Sequence, residues 1–424
     1  MLWRSKTVKK YFLQFLLTLG SVFVLLATAA GCVPAEEILR YDPESGDMVR
    51  IGVLLPLTGK DAPQGRKMLN GARFAADELN SSRGHFGRQV DLVVVDTGST
   101  GAGAVKAFET AVGAGAVGIV GGYSTVEARE ITHLARQHRV PLVLTMATGN
   151  DDVIGMDPFV FRTVFTDKQQ SEMIAGFMKY YRRVSRIVVA VSAEASEIYS
   201  RNVARDVAGA FRELGGEVAC VCTIDEKSPD KALREAVSYL PDAIVLPFGA
   251  EVAALYYKKL RQLGFAGLIC GPDSWDSPLF FKGLTGLKTP GNSFYTAFYS
   301  DEAKHAEFSD FRENFRKKRY YYPDSFEIQT YDAVNMLLVG FGNNADSLKK
   351  FQKNWLSMRK YSGAAAVYTM ERGGRIDRTI YINRVGYTPE SGNRPVSRNI
   401  GALQYSRLSV YDVEKEDTEK DQDL

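Results

Sequence analysis

Cysteine is scarce in this chain: four residues in 424, and none between positions 33 and 219. Cys220, Cys222 and Cys270 are too few for a disulfide framework. Cys220 and Cys222 lie two apart in EVACVCTI, so in a strand they share one face and read as buried apolar thiols. A bridge from Cys270 to either one requires adjoining strands. Histidine is as sparse, at four. His133 and His138 are five apart and miss the i, i+4 spacing of a helical zinc pair, so no metal site is expected. A G-x-S-x-G elbow and a phosphate-binding P-loop are both missing. The many carboxylates read as solvated helix faces rather than an acid/base pair, so neither an enzyme nor a cofactor is expected. Acid is missing altogether before Cys32, where Arg4, Lys6, Lys9 and Lys10 stand. Removing those four cations from the formal charge of +3 leaves the remainder at −1. A nearly neutral body without a basic stripe excludes nucleic acid as a partner.

One stretch tests the absence of a nucleotide site. DTGSTGAGAVKAFE, from Asp96 to Glu109, follows the apolar run QVDLVVV and opens a helix. Its glycines, 98, 101 and 103, are spaced G-x-x-G-x-G, whereas a dinucleotide site needs G-x-G-x-x-G after the first strand of its unit. The preceding strand is the second of its half. The glycines therefore read as a turn before a helix.

What the chain does have begins with YFLQFLLTLGSVFVLLATAA, an apolar run after four cations and before small residues. That order describes an export signal. The length of the run also suits an uncleaved membrane anchor. Ala29-Ala30-Gly31-Cys32 resembles the lipobox of bacterial lipoproteins, which implies cleavage before Cys32, its acylation, and a body held outside the cytoplasm by two or more acyl chains. Lipoprotein, plain anchor and plain secretion are the three alternatives. Val33 to about Asp47 reads as a polar tether. The end, DVEKEDTEKDQDL, is charged and nearly free of apolar side chains, and reads as a disordered tail.

Between these ends, apolar strands alternate with amphipathic helices. RIGVLLPL, QVDLVVVD, VGIVGG and VPLVLT read as strands, with helices over residues 64–80, 102–114 and 125–138. The pattern restarts near Phe165: a helix over 167–181, then SRIVVAVS, a helix over 197–214, and the strands EVACVCTI, DAIVLPF and GLICGP with helices between them. Two helices follow, over 303–318 and 326–342. This predicts two similar α/β halves with parallel sheets covered on both faces.

In such sheets a ligand sits beyond the carboxyl ends of the strands. There the sequence places Ser124 and Thr125, Met146 and Thr148, Tyr199, Phe248, and Asp273. A hydroxyl at a helix start suits a carboxylate. Thr148, a backbone carbonyl and Asp273 suit an ammonium group, and Tyr199 and Phe248 supply apolar walls. Each has a bland alternative: Ser124 or Thr125 as a helix cap, Tyr199 as helix packing, Asp273 as a turn former. Together they fit a zwitterion such as an amino acid.

The span from about Arg50 to Val385 resembles the type I periplasmic-binding-protein family, in its leucine/isoleucine/valine-binding branch. IGVLLPLTGKDAPQGRKMLNGARFAADELN, GGYSTVEA, RVPLVLTMAT, EIYSRNVARD, GPDSW and TYDAVNML carry the resemblance through their order and spacing. It implies an α/β fold of two doubly wound parallel-sheet lobes joined by a hinge of three crossings, closing on a ligand. The implied boundaries are a signal over 1–31, a lipid-anchored tether over 32–48, lobe 1 over 49–165 plus 296–368, lobe 2 over 166–295 plus 369–386, and an extension over 387–424. The resemblance also implies roles: Ser124 or Thr125 for the carboxylate, Met146 by its main chain, Thr148 by its hydroxyl, Tyr199 closing over the ligand, Asp273 on the ammonium group, and Gln64 and Phe248 lining the side-chain pocket. An ABC permease is the implied partner. The same fold also serves as a sensor subunit or an activator of a cell-wall synthase, with no transport role. Ser200 after Tyr199, Leu144-Thr145 before the Ala-Thr step, Tyr123 and the polar Gln64 depart from the family's pattern, and leave amino acids, amides, urea and aromatic acids open as ligands.

Overall fold

The computed structural model describes residues 38–404, apart from 45, 47, 195–196, 226, 288–290, 303–305 and 388–394. The first sheet is built from β1 (Met48–Leu55), β2 (Gln89–Asp96), β3 (Gly118–Gly121), β4 (Leu142–Leu144) and β5 (Val160–Arg162). Between them run α1 (Ala62–Ser81), α2 (Gly101–Gly113), α3 (Thr125–His138) and the single turn α4 (Asp151–Ile154). The strand order is β2-β1-β3-β4-β5, all parallel. From Ile51 to Leu55 every residue of β1 is buried, as a strand covered on both faces requires.

The second half repeats the plan. α5 (Asp167–Gly176), β6 (Arg186–Ser192), α6 (Ile198–Glu213), β7 (Glu217–Ile224), α7 (Pro229–Ser238), β8 (Ala243–Val245), α8 (Ala250–Gln262), β9 (Leu268–Gly271), α9 (Pro278–Gly283) and β10 (Ser293–Ala297) give the parallel order β7-β6-β8-β9-β10. Strand alternation splits the packing. Ile187 and Val189 of β6 join the core under α5 and α6, while Val188 and Ala190 join the one under α7 and α8.

The chain then returns to the first sheet through α10 (Ala306–Arg319), α11 (Ser325–Phe341) and α12 (Leu348–Ser357). α11 lies along α1 so closely that a Cβ on Gly71 would sit 2.1 Å from the carbonyl oxygen of Glu327. A hairpin of β11 (Tyr361–Ser362) and β12 (Val367–Met370) leads to β13 (Ile376–Tyr387), which pairs antiparallel with β10. β14 (Pro395–Gln404) pairs antiparallel with β13. The molecule is therefore two doubly wound parallel-sheet lobes, and the chain crosses between them three times: after β5, after β10 and before β13.

The structure adds detail to four expectations. Part of the polar tether packs onto the body: Leu39 and Tyr41 are buried, Tyr41 stacks on Phe341 at 4.3 Å, and Arg88 lies over its ring. Two apolar side chains with a place to go outweigh the polar average of the stretch. Cys220 and Cys222 are joined in a disulfide rather than being two thiols, and among the described residues Cys270 is the free cysteine, buried against Met178. The extension expected from 387 contributes β14, an edge strand whose residues 396–401 are half-buried and whose alternation is too weakly apolar to read as a strand. The helix expected over 167–181 is α5 continued by a π-helical turn, Phe177–Tyr181. The export signal, Cys32 and the acidic tail lie outside the described residues.

Candidate functional site

In each sheet the order reverses beside its first strand, and there the loops on the two sides diverge to leave a crevice. Those loops hold the residues singled out from the sequence. α1, after β1, begins with Asp61 at its N-cap and carries Gln64 in its first turn. Ser124 caps α3 and Thr125 opens it. Met146 and Thr148 follow β4, Tyr199 is in the first turn of α6, Phe248 follows β8, and Asp273 follows β9. Gln64, Ser124, Thr125, Met146, Thr148, Tyr199, Phe248 and Asp273 all line one cleft of about 380 Å³. Phe298 from the second crossing and Ser325 and Phe326 from the start of α11 complete it.

The glycine-rich turn lies outside this lining. Thr100 caps α2 by accepting the Gly103 N–H at 3.0 Å, and Gly98 sits at φ +61°. Asp96 accepts the N–H groups of Leu57, Thr58 and Gly98 at 2.8–3.1 Å, so it ties the β1–α1 loop down.

On the first lobe's wall, Ser124 Oγ accepts the Glu127 N–H at 3.2 Å. Of the two hydroxyls, Ser124 is thus the cap, and its O–H proton remains free to point outward. Glu127 lies beneath, fully buried, accepting from the Thr97 hydroxyl at 2.9 Å and the Tyr123 N–H at 3.2 Å. Burial pushes its pKa up to about 7, against the pull of those donors.

On the second lobe's wall, the Tyr199 hydroxyl donates to Asp273 Oδ1 at 2.8 Å. Gln170, which the sequence reading missed, holds this corner. Its Oε1 accepts the Asp273 N–H and the Thr296 hydroxyl, both at 3.1 Å, and its Nε2 donates to Asp167 at 3.1 Å. Nothing in the spacing of a buried helical glutamine marks such a role. Burial raises Asp273 to about 6, while Tyr199 and Gln170 pull it down. Burial likewise raises Asp167 to about 7, with a hydrogen bond from Thr148 opposing it and the charges of Asp273 and Asp206 adding to it. Ser274 donates to the Phe248 carbonyl at 2.7 Å and fixes the Phe248 loop. Phe248 itself is buried edge-on against Tyr256 at 5.0 Å.

A second groove, of about 750 Å³, lies elsewhere, between α4, α5 and α6. Each of its arginines is paired: Arg162 with Asp151 at 3.0 Å, Arg205 with Asp206 at 2.7 Å, and Arg375 with Asp151. None of the residues singled out from the sequence lies in it.

Residues 48–392 match the family model described as periplasmic binding protein. The chain belongs to the periplasmic-binding-protein family. It is a family of solute-binding proteins, not enzymes. The Leu/Ile/Val-binding protein homolog 3 of Brucella melitensis is 26% identical over 307 residues, which are 70% of this chain and 81% of that protein. The crystal structure of a leucine-binding protein, LivK, from Thermotoga maritima superposes with a TM-score of 0.73 at 26% identity, covering 84% of this chain and 99% of that one. A solute-binding protein of an ABC transporter from R. palustris, solved with benzoate, matches in fold at a TM-score of 0.69 and 19% identity over 84% of this chain and 98% of that one.

Proposed function

We propose that this periplasmic binding protein captures an amino acid or a closely related small zwitterion between its lobes and delivers it to an ABC importer, held at the outer face of the membrane by acylated Cys32. The observation that carries the reading is the opposition of two chemistries across one cleft. The capped start of α3, with Ser124 and Thr125, faces a carboxylate ligand group, and the Tyr199–Asp273 pair, with Thr148, faces an ammonium group. Met146, Phe248 and Gln64 border the rest of the ligand. Because Ser124, Thr125 and Thr148 come from the first lobe and Tyr199 and Asp273 from the second, only the closed arrangement makes every contact, and that differential contact is what allows a ligand to drive closure. Branched-chain ligands in the names of relatives support the class.

Isothermal titration calorimetry tests it. Full-length protein in mild detergent, denatured and refolded to strip carried ligand, is titrated with the common amino acids, small amides and benzoate. Saturable 1:1 binding of one amino-acid class is the expected result. Silence across the panel from folded protein overturns capture and leaves the partner-regulating role of the fold.

A further inference from the structure

One carboxylate satisfies one α-ammonium group, and Asp273 already fills that place. The cleft nevertheless holds more acid than a neutral amino acid can use. Asp61, Glu197, Glu251, Asp273 and Asp276 line it among the described residues, against the single ammonium of Lys60, which is exposed at the mouth. The surplus alone proves little, since exposed acids are screened by water and salt. Asp276 is different. Its Oδ2 is buried and has no hydrogen-bond donor, although the residue borders the cavity. A buried carboxylate without a partner is costly to ionise, so it is either paired with a cation or held neutral until one arrives. Burial, with the charges of Asp324, Asp301 and Asp273 adding to it, drives the Asp276 pKa well up, against a hydrogen bond from the Ser325 side chain, and Oδ2 is the oxygen left without a donor. Asp324, whose charge acts on Asp276, is itself paired with Lys67. Gln64 Oε1, on the first lobe's side of the same cavity, is a second buried acceptor without a donor.

An aliphatic side chain laid against these two acceptors would leave both unpaired. A side chain ending in an ammonium or guanidinium group would satisfy them. We propose that the ligand carries a second cationic group, separate from its α-ammonium, and that Asp276 receives it, with Gln64 as a further acceptor. The substrate class is then the basic amino acids. This inference rests on the zwitterion reading of the cleft and narrows it.

The experiment compares ligands with and without the second cation, arginine and citrulline being the near-isosteric pair. Full-length protein in mild detergent, refolded free of ligand, is titrated with arginine and citrulline, with lysine and norleucine, and with leucine and cadaverine. The expected result is that arginine or lysine binds roughly 10- to 100-fold more tightly than its neutral counterpart, the range for one charge-assisted contact. Asp276→Asn, with an unchanged circular-dichroism spectrum, should bring that ratio to within a few-fold while norleucine binding holds. Leucine binding as tightly as arginine and lysine overturns the second-cation site and leaves amino-acid capture standing. Cadaverine preferred to lysine, and weakened by Asp276→Asn, upholds the Asp276 site and removes the carboxylate subsite instead. No binding by any of the six overturns both. If Asp276→Asn does not fold, the arginine-to-citrulline ratio of the native protein still decides.

Discussion

The two walls of the cleft descend from the same supersecondary plan and have opposite chemistry. In both sheets the strand order is the same, and in both the cleft residues stand at the carboxyl ends of corresponding strands. On the first lobe the loop after β3 runs straight into a helix and ends in hydroxyls, Ser124 and Thr125. On the second lobe the loops after β6 and β9 present Tyr199, Asp273 and Asp276. The first wall offers donors at a helix N-terminus, and the second offers acceptors on carboxylates. The acids of the first wall are either withdrawn behind it, like Glu127, or set at its rim beside Lys60, like Asp61. On the proposed reading, a repeated fold becomes a binding device through what its loops carry, hydroxyls and a helix start on one lobe set against carboxylates on the other.

The contrast breaks most severely at Asp273. Asp273→Asn keeps the shape of the second wall and removes its charge, so affinity for an α-ammonium ligand should fall by about 1–3 kcal/mol, or roughly 10- to 100-fold by calorimetry. Unchanged affinity would move the ammonium site elsewhere on that wall. Acid should do reversibly what the substitution does permanently. The ligand's ammonium pairs with the ionised form of Asp273, whose pKa is raised to about 6 by burial. Affinity should therefore be nearly flat above pH 7 and fall toward about tenfold per pH unit well below 6, with proton uptake on ligand release. The same raised pKa works the other way on the empty protein. Its contribution to stability is fully present below the unfolded value of 3.8 and is lost as pH rises through 6, so the ligand-free form should lose thermal stability over that window.

Tyr199→Phe sharpens the comparison further. It deletes the 2.8 Å donor to Asp273 and leaves the carboxylate in place. About a tenfold loss of affinity at pH 7 is expected. Because Tyr199 is one of the groups that pull the Asp273 pKa down, the midpoint of the affinity profile should also move to higher pH. A loss of affinity with no movement of the midpoint would reduce Tyr199 to a packing residue.

How much of this was legible in the sequence follows from the range of the signals. The first wall and the strands behind it were readable because their cues are local: five successive buried residues in β1, a serine before a helix, a Gly-rich turn with the wrong spacing. All eight binding residues named from the sequence border one cleft because strand ends are set by the alternation itself. Gln170 and Asp276 were missed because their roles depend on contacts 103 residues away, between Gln170 and Asp273, or on an empty acceptor that no pattern records. The capture of Leu39 and Tyr41 by the first lobe, and the pairing of β14 with β13, were hidden for the same reason. A few apolar residues in a polar stretch declare nothing until the surface that receives them exists.

The smallest effect is expected at Ser124, where cap and ligand donor share one oxygen. Ser124 Oγ accepts from the Glu127 N–H, and its proton is left to donate into the cleft. Alanine removes both functions, whereas glycine removes the hydroxyl but is itself tolerated at an N-cap. Ser124→Ala should cost about 1 kcal/mol of stability and Ser124→Gly only a few tenths. If the hydroxyl proton holds the ligand carboxylate, both variants should lose the same affinity, about fivefold. If the N–H groups of α3 hold it unaided, Ser124→Gly should bind as the native protein does, and any loss in Ser124→Ala would trace to the frayed helix start. Chemical denaturation and calorimetry on the same two variants therefore separate the oxygen's two tasks. They also show whether the first wall recognises an anion through a side chain, as the second wall recognises a cation, or through its backbone alone.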